Sequence, residues 1–185
     1  MGSAASSRSP RLPRVAFAAL MLFACERTVV QVPPVGVSDK SRASVPDHRP
    51  AVYAFDSLDD RPVTSETMRG KPTVVVFLTT GDLLGQAQIN YLVAMARNDG
   101  DKVNYAMVAL HPRKEIVIVD AYAKALNVNF PVALGDPSST TSEAGPFGAI
   151  TAVPTTIVLA RDGHMVWKHT GLAKSEDIRA HMQGL

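Results

Sequence analysis

The chain offers few side chains from which a reaction can be built: one cysteine, five histidines, and an aspartate at the head of an apolar helical stretch. Cys25 is the only thiol. Disulfide exchange needs one thiolate to attack and a second thiol to resolve the mixed disulfide, so a single thiol leaves that cycle incomplete. His164 and His169 flank Trp167 and invite a metal reading. They stand five residues apart on a predicted strand, however, and so point to opposite faces. His111-Pro112 closes another predicted strand and reads as a loop residue. Asp82, after Gly81, is suited to cap a helix, because its carboxylate accepts backbone N–H bonds and meets the positive end of the helix dipole. No His or Lys lies between Thr79 and Gly85 to serve as its acid–base partner. There is no P-loop, no Gly-x-Ser-x-Gly and no His-Glu-x-x-His. These residues predict no metal and no cofactor.

The elements that position them begin at Ala51. Val52 to Phe55 alternates apolar residues, Asp59-Asp60 marks a turn, and Thr64 or Ser65 caps a helical turn ending at Gly70. Thr73–Leu78 is a β-branched run without charge, the pattern of a central strand covered on both faces. Leu84, Ala87, Tyr91 and Met95 recur at helical spacing, widened by Ile89, Leu92 and Ala96, and Gly100 ends that helix. A strand over 103–110 leads to a helix marked by Ile116, Val119, Ala123 and Leu126, then to a short strand over 130–134. A hairpin turns at Asp162-Gly163 between strands 155–160 and 164–170, and a helix over 174–182 follows. Strands alternating with helices predict an α/β fold, a mixed central sheet flanked by helices.

The N-terminal region has a different pattern. Arg8, Arg11 and Arg14 precede an apolar run, Val15 to Ala24, with no acidic residue before it, which is the layout of a secretory signal. Its span is about half the roughly 20 residues that a membrane-crossing helix needs. Leu22-Phe23-Ala24-Cys25 resembles the bacterial lipobox, which implies a diacylglyceryl group on the Cys25 sulfur and a lasting hold on a membrane. Glu26 after the cysteine leans the sorting toward the outer membrane. Pro33, Pro34, Pro46 and Pro50 stand in a stretch without helical or strand period, the composition of an extended tether. The predicted organisation is a signal peptide over 1–24, a lipid-anchored tether over 25–50 and one globular domain over 51–185. Formal charge is +2, falling to −1 once the three signal arginines are removed, which gives no ground for nucleic-acid binding.

Several blocks of the globular part, in order, resemble the periplasmic thioredoxin-like thiol–disulfide oxidoreductases of the TlpA and redoxin type. They are Gly70-Lys71-Pro72 before Val74-Val75-Val76-Phe77, then Asn129-Phe130-Pro131-Val132, Phe147-Gly148, Val153-Pro154-Thr155-Thr156, Arg161-Asp162-Gly163 and Gly171-Leu172. The resemblance covers about Ala51 to Leu185 and implies a thioredoxin-like fold. It also implies that Pro154 follows a cis bond, and that the Val153 backbone pairs with an extended substrate peptide.

The same resemblance marks what is missing. The family carries Cys-x-x-Cys after the first core strand, and alignment on Phe77 places Asp82 and Gly85 at the two cysteine positions. Neither has a sulfur to exchange, and peroxiredoxin chemistry fails for the same reason. The expected protein is therefore a membrane-anchored, redox-inactive thioredoxin-like lipoprotein of the bacterial envelope. It binds an extended polypeptide or envelope partner at Val153 and Pro154. The contrasting expectation, from resemblance alone, is a thiol–disulfide oxidoreductase or peroxiredoxin-like enzyme.

Overall fold

The computed structural model describes residues 49–185. The signal peptide, Cys25 and the tether as far as residue 48 lie outside the described residues. The most apolar run, Thr73–Leu78, becomes the strand β3, with all six residues buried. It is the third of seven strands: β1 (Ala54–Ser57), β2 (Val63–Thr64), β3, β4 (Asn104–Leu110), β5 (Val132–Gly135), β6 (Thr155–Leu159) and β7 (Met165–Thr170). They form one sheet in the order β2-β1-β5-β4-β3-β6-β7. Within it β3, β4 and β5 run parallel, while β6, β7, β1 and β2 pair antiparallel to their neighbours. The sheet is mixed, as the alternation of strands and helices predicts.

Helices α1 (Leu83–Asp99), α2 (Ile116–Ala125), a short α3 (Pro137–Thr140) and α4 (Ser175–Met182) complete the elements. One face of β3, through Val74, Val76 and Leu78, packs with Ile89, Leu92 and Met95 of α1, Val119 of α2 and Ile178 of α4. The other face, through Val75 and Phe77, packs with Tyr53, Val63, Met68, Phe147 and Ile150. Each large apolar side chain fully withdrawn from water contributes about 1.5–3 kcal/mol. This double coverage is why a run without polar alternation is stable there.

The predicted phase of α1 is partly corrected. Its buried residues are Gly85, Gln88, Ile89, Leu92, Val93, Met95 and Ala96, whereas Leu84 and Tyr91 are exposed. Gln88 occupies the buried face because it has a backbone partner. Its Oε1 accepts from the Ala173 N–H at 2.7 Å and its Nε2 donates to the Ala173 carbonyl at 3.2 Å. That pair ties α1 to the segment leading into α4. At Gly135 the close packing of parallel strands leaves no room for a side chain, since a Cβ would stand 2.8 Å from Val108 Cγ1.

Candidate functional site

The site lies where β3 ends and α1 begins. Asp82 is the N-cap of α1, extended at φ −97°, ψ 123°. Its Oδ1 accepts from the Leu84 N–H and its Oδ2 from the Gly85 N–H, each at 3.1 Å. Both carboxylate oxygens are thereby engaged with the helix they cap. Gly85 is buried one turn in, and a Cβ there would stand 3.3 Å from Leu78 Cβ. The two positions aligned with the family cysteines thus hold a cap and a close-packed glycine. Leu83 and Leu84 beside them are exposed, at 80% and 50%.

On the other side of β3 stands β6. Its register ends with Phe77 paired to Thr155, so Pro154 and Val153 lie just beyond β6, at the end of β3 that leads into Thr79. The Val153–Pro154 peptide bond is cis, as the resemblance implies. The Pro154 carbonyl accepts from the Gly171 N–H at 2.7 Å, and Thr155 Oγ1 donates to the Ala152 carbonyl at 2.7 Å. Among the described residues the N–H and C=O of Val153 itself have no backbone partner. A half-exposed residue with both main-chain groups open, beside a sheet strand, is the geometry that accepts one more extended segment.

β4 lies on the remaining flank and brings His111, whose partners the sequence does not show. His111 follows β4, and its Nε2 accepts from the Thr80 N–H at 3.0 Å, with Thr80 Oγ1 at 3.2 Å from the same atom. Its Nδ1 stands 2.8 Å from Glu115 Oε2. His111 lies in a loop, as the sequence implies, and there it bridges the loop into α1 to the head of α2. Two sequence signals were available, the i,i+4 spacing of His111 and Glu115 and the placement of His111 at the end of a strand neighbouring β3.

Tyr122 of α2 also approaches. Burial raises its hydroxyl pKa, and the Asp82 carboxylate raises it further. That hydroxyl is buried and has no hydrogen-bond partner among the described residues. The other described histidines assemble no ligand set. His164 Nδ1 bonds Asp162 Oδ1 at 2.6 Å, while His169 and His181 stack on Trp167 with centroids at 5.3 and 4.6 Å. Among the described residues no group of three or more His, Cys, Asp or Glu side chains is placed to hold a metal.

The same frame recurs in solved structures. The chain is similar to a DsbF homologue from Corynebacterium diphtheriae, with TM-score 0.65 and 18% identity over 74% of this chain and 86% of that one. It is similar to a thiol:disulfide interchange protein of the thioredoxin family from Chlorobium tepidum TLS, with TM-score 0.62 and 20% identity over 76% and 96%. A third is StoA from Bacillus subtilis, with TM-score 0.58 and 18% identity over 73% and 98%. The fold is thioredoxin-like. No protein-family model and no curated protein sequence matches the chain. Within the thioredoxin-like frame, the structure brings Asp82, Gly85, Val153 and Pro154 to one end of β3, and Cys25 lies outside the described residues.

Proposed function

We propose that this chain is a redox-inactive thioredoxin-like protein, held in the bacterial envelope by a lipid on Cys25, that binds an extended polypeptide along Val153-Pro154. The observation that carries this reading is the pair of open main-chain groups on Val153, set across from the Thr79–Gly85 loop and its exposed Leu83 and Leu84. Backbone pairing supplies affinity and the leucines supply apolar contact to side chains of the bound segment. Removal of residues 1–24, a tether over 25–50 and sorting toward the outer membrane belong to the same proposal, on the signal and lipobox residues.

The structural neighbours described as thiol–disulfide proteins support the contrasting reading, an envelope oxidoreductase or redoxin. The engaged Asp82 and the close-packed Gly85 oppose it. Insulin reduction and peroxide consumption by the full-length chain separate the two. Rates equal to a thiol-free control are expected, and turnover above that control contradicts the proposal. In parallel, Leu83→Asp with Leu84→Asp is expected to weaken capture of peptides selected from an extended-peptide library while leaving the fold intact. Unchanged capture contradicts the placement of the binding edge.

A further inference from the structure

The His111 ring is fixed between two partners of different character. A backbone amide only donates, so the Thr80 N–H at 3.0 Å requires Nε2 to be the unprotonated, accepting nitrogen. The ring hydrogen therefore sits on Nδ1 and is donated to Glu115 Oε2 at 2.8 Å. The side chain is only 14% exposed, so water has little access to replace either contact. A second proton turns both ring nitrogens into donors. Nε2–H then faces Thr80 N–H, donor against donor, and turns to the Thr80 Oγ1 acceptor 3.2 Å away, so the amide loses its partner. Glu115 Oε2, at the other nitrogen, accepts from Nδ1–H in either state.

We propose that His111 is a proton-operated latch. With the ring neutral it holds the Thr80 amide against the end of β4, and with the ring doubly protonated it releases that amide, leaving the Thr80 hydroxyl contact. Glu115 is the titratable group bonded to the ring, from the turn ahead of α2. Asp82, from the head of α1, spends its oxygens on the Leu84 and Gly85 amides. Arg113 is matched by Asp56 of β1, Lys114 is exposed, and Tyr122 of α2 is a neutral hydroxyl near Asp82. The same geometry argues against Thr80 as a nucleophile with His111 as its base. The lone pair that would take the Oγ1 proton, 3.2 Å away, already accepts the Thr80 amide.

Thr79 and Val153 each lie two residues beyond the last β3–β6 pair, Phe77 with Thr155, so release of the Thr80 amide loosens the segment beside the proposed polypeptide edge. This last consequence rests on the proposed function, whereas the latch itself does not. The test follows amide exchange of Thr80 and the ring nitrogens of His111 by NMR in the full-length chain, across the range of about pH 5–8 where histidines gain a proton. Thr80 protection, corrected for intrinsic exchange, is expected to fall roughly tenfold as the ring titrates, the scale of one lost hydrogen bond. In His111→Gln a neutral amide oxygen takes over as acceptor, and that pH dependence should vanish. Thr80 protection that stays flat through the ring titration, or pH dependence that persists in His111→Gln, overturns the latch. Release of Thr80 with unaltered affinity for a selected peptide supports the latch and contradicts the polypeptide edge.

Discussion

Placing thiols at positions 82 and 85 probes whether the frame can support the chemistry that the proposal denies it. Asp82→Cys removes the two 3.1 Å bonds of the N-cap, which costs about 1 kcal/mol. Gly85→Cys removes a glycine from a helix, worth roughly 0.5–1 kcal/mol in favour of the substituted chain. Against that gain, its Cβ meets Leu78 Cβ at 3.3 Å, so Leu78 must give by a few tenths of an ångström. The gain and the crowding nearly offset, and the double variant should be less stable in its reduced form by about 1 kcal/mol, a few degrees in Tm. Position 82 is the extended N-cap of α1 and position 85 its third residue, so the pair keeps the Cys-x-x-Cys spacing at a helix N-terminus. The helix N-terminus also lowers the first thiol's pKa. Dithiothreitol-dependent insulin reduction should therefore appear in the double variant and in neither single variant. A folded double variant that forms its disulfide yet reduces no insulin would refute the claim that the loop retains oxidoreductase geometry.

Other outcomes follow from the packing. Gln88→Ala leaves the Ala173 N–H and C=O buried without partners, and should cost about 2–4 kcal/mol in urea unfolding; a loss below ~1 kcal/mol contradicts the tie between α1 and the α4 segment. Gly135→Ala forces a Cβ to within 2.8 Å of Val108 Cγ1 and should destabilise by about 1–3 kcal/mol, read by the same method. Tyr53 titrates near pH 12 in the fold, because burial outweighs the opposing effect of Arg69. A folded pKa raised above the unfolded value near 10 gives stability that is complete below pH 10 and lost as pH rises toward 12. Tyr53→Phe should flatten that alkaline decline, and an unchanged slope would place its origin elsewhere.

The core strands over 73–78, 103–110, 130–134, 155–160 and 164–170 were legible along the chain because it states them locally; the two-residue β2 (Val63–Thr64) and the order of strands in the sheet were not. Thr73–Leu78 has no polar alternation and is buried on both faces, and Asp162-Gly163 turns the hairpin, with Gly163 at φ 90°. The α1 stripe was misphased because a polar residue, Gln88, holds a buried position through a partner 85 residues away, a compensation that hydrophobic periodicity does not register. Leu84 and Tyr91 were read into the core by spacing alone and face solvent instead. At the site, the Asp82 cap was legible because capping is a local interaction. His111 was not, because its meeting with Thr80 spans 31 residues and depends on β4 lying beside β3 in parallel register. The aromatic cluster of Tyr53, Phe55, Phe77 and Phe147 is likewise assembled from segments far apart in the chain.

The central claim is that a polypeptide pairs with the main chain of Val153. Hydrogen exchange of the Val153 amide, with and without a peptide selected on the full-length chain, tests it most directly. The account predicts that Val153 N–H, open in the free protein, becomes strongly protected on binding while the β3 amides stay as they were. A bound peptide that leaves the Val153 amide exchanging at its free rate would contradict it.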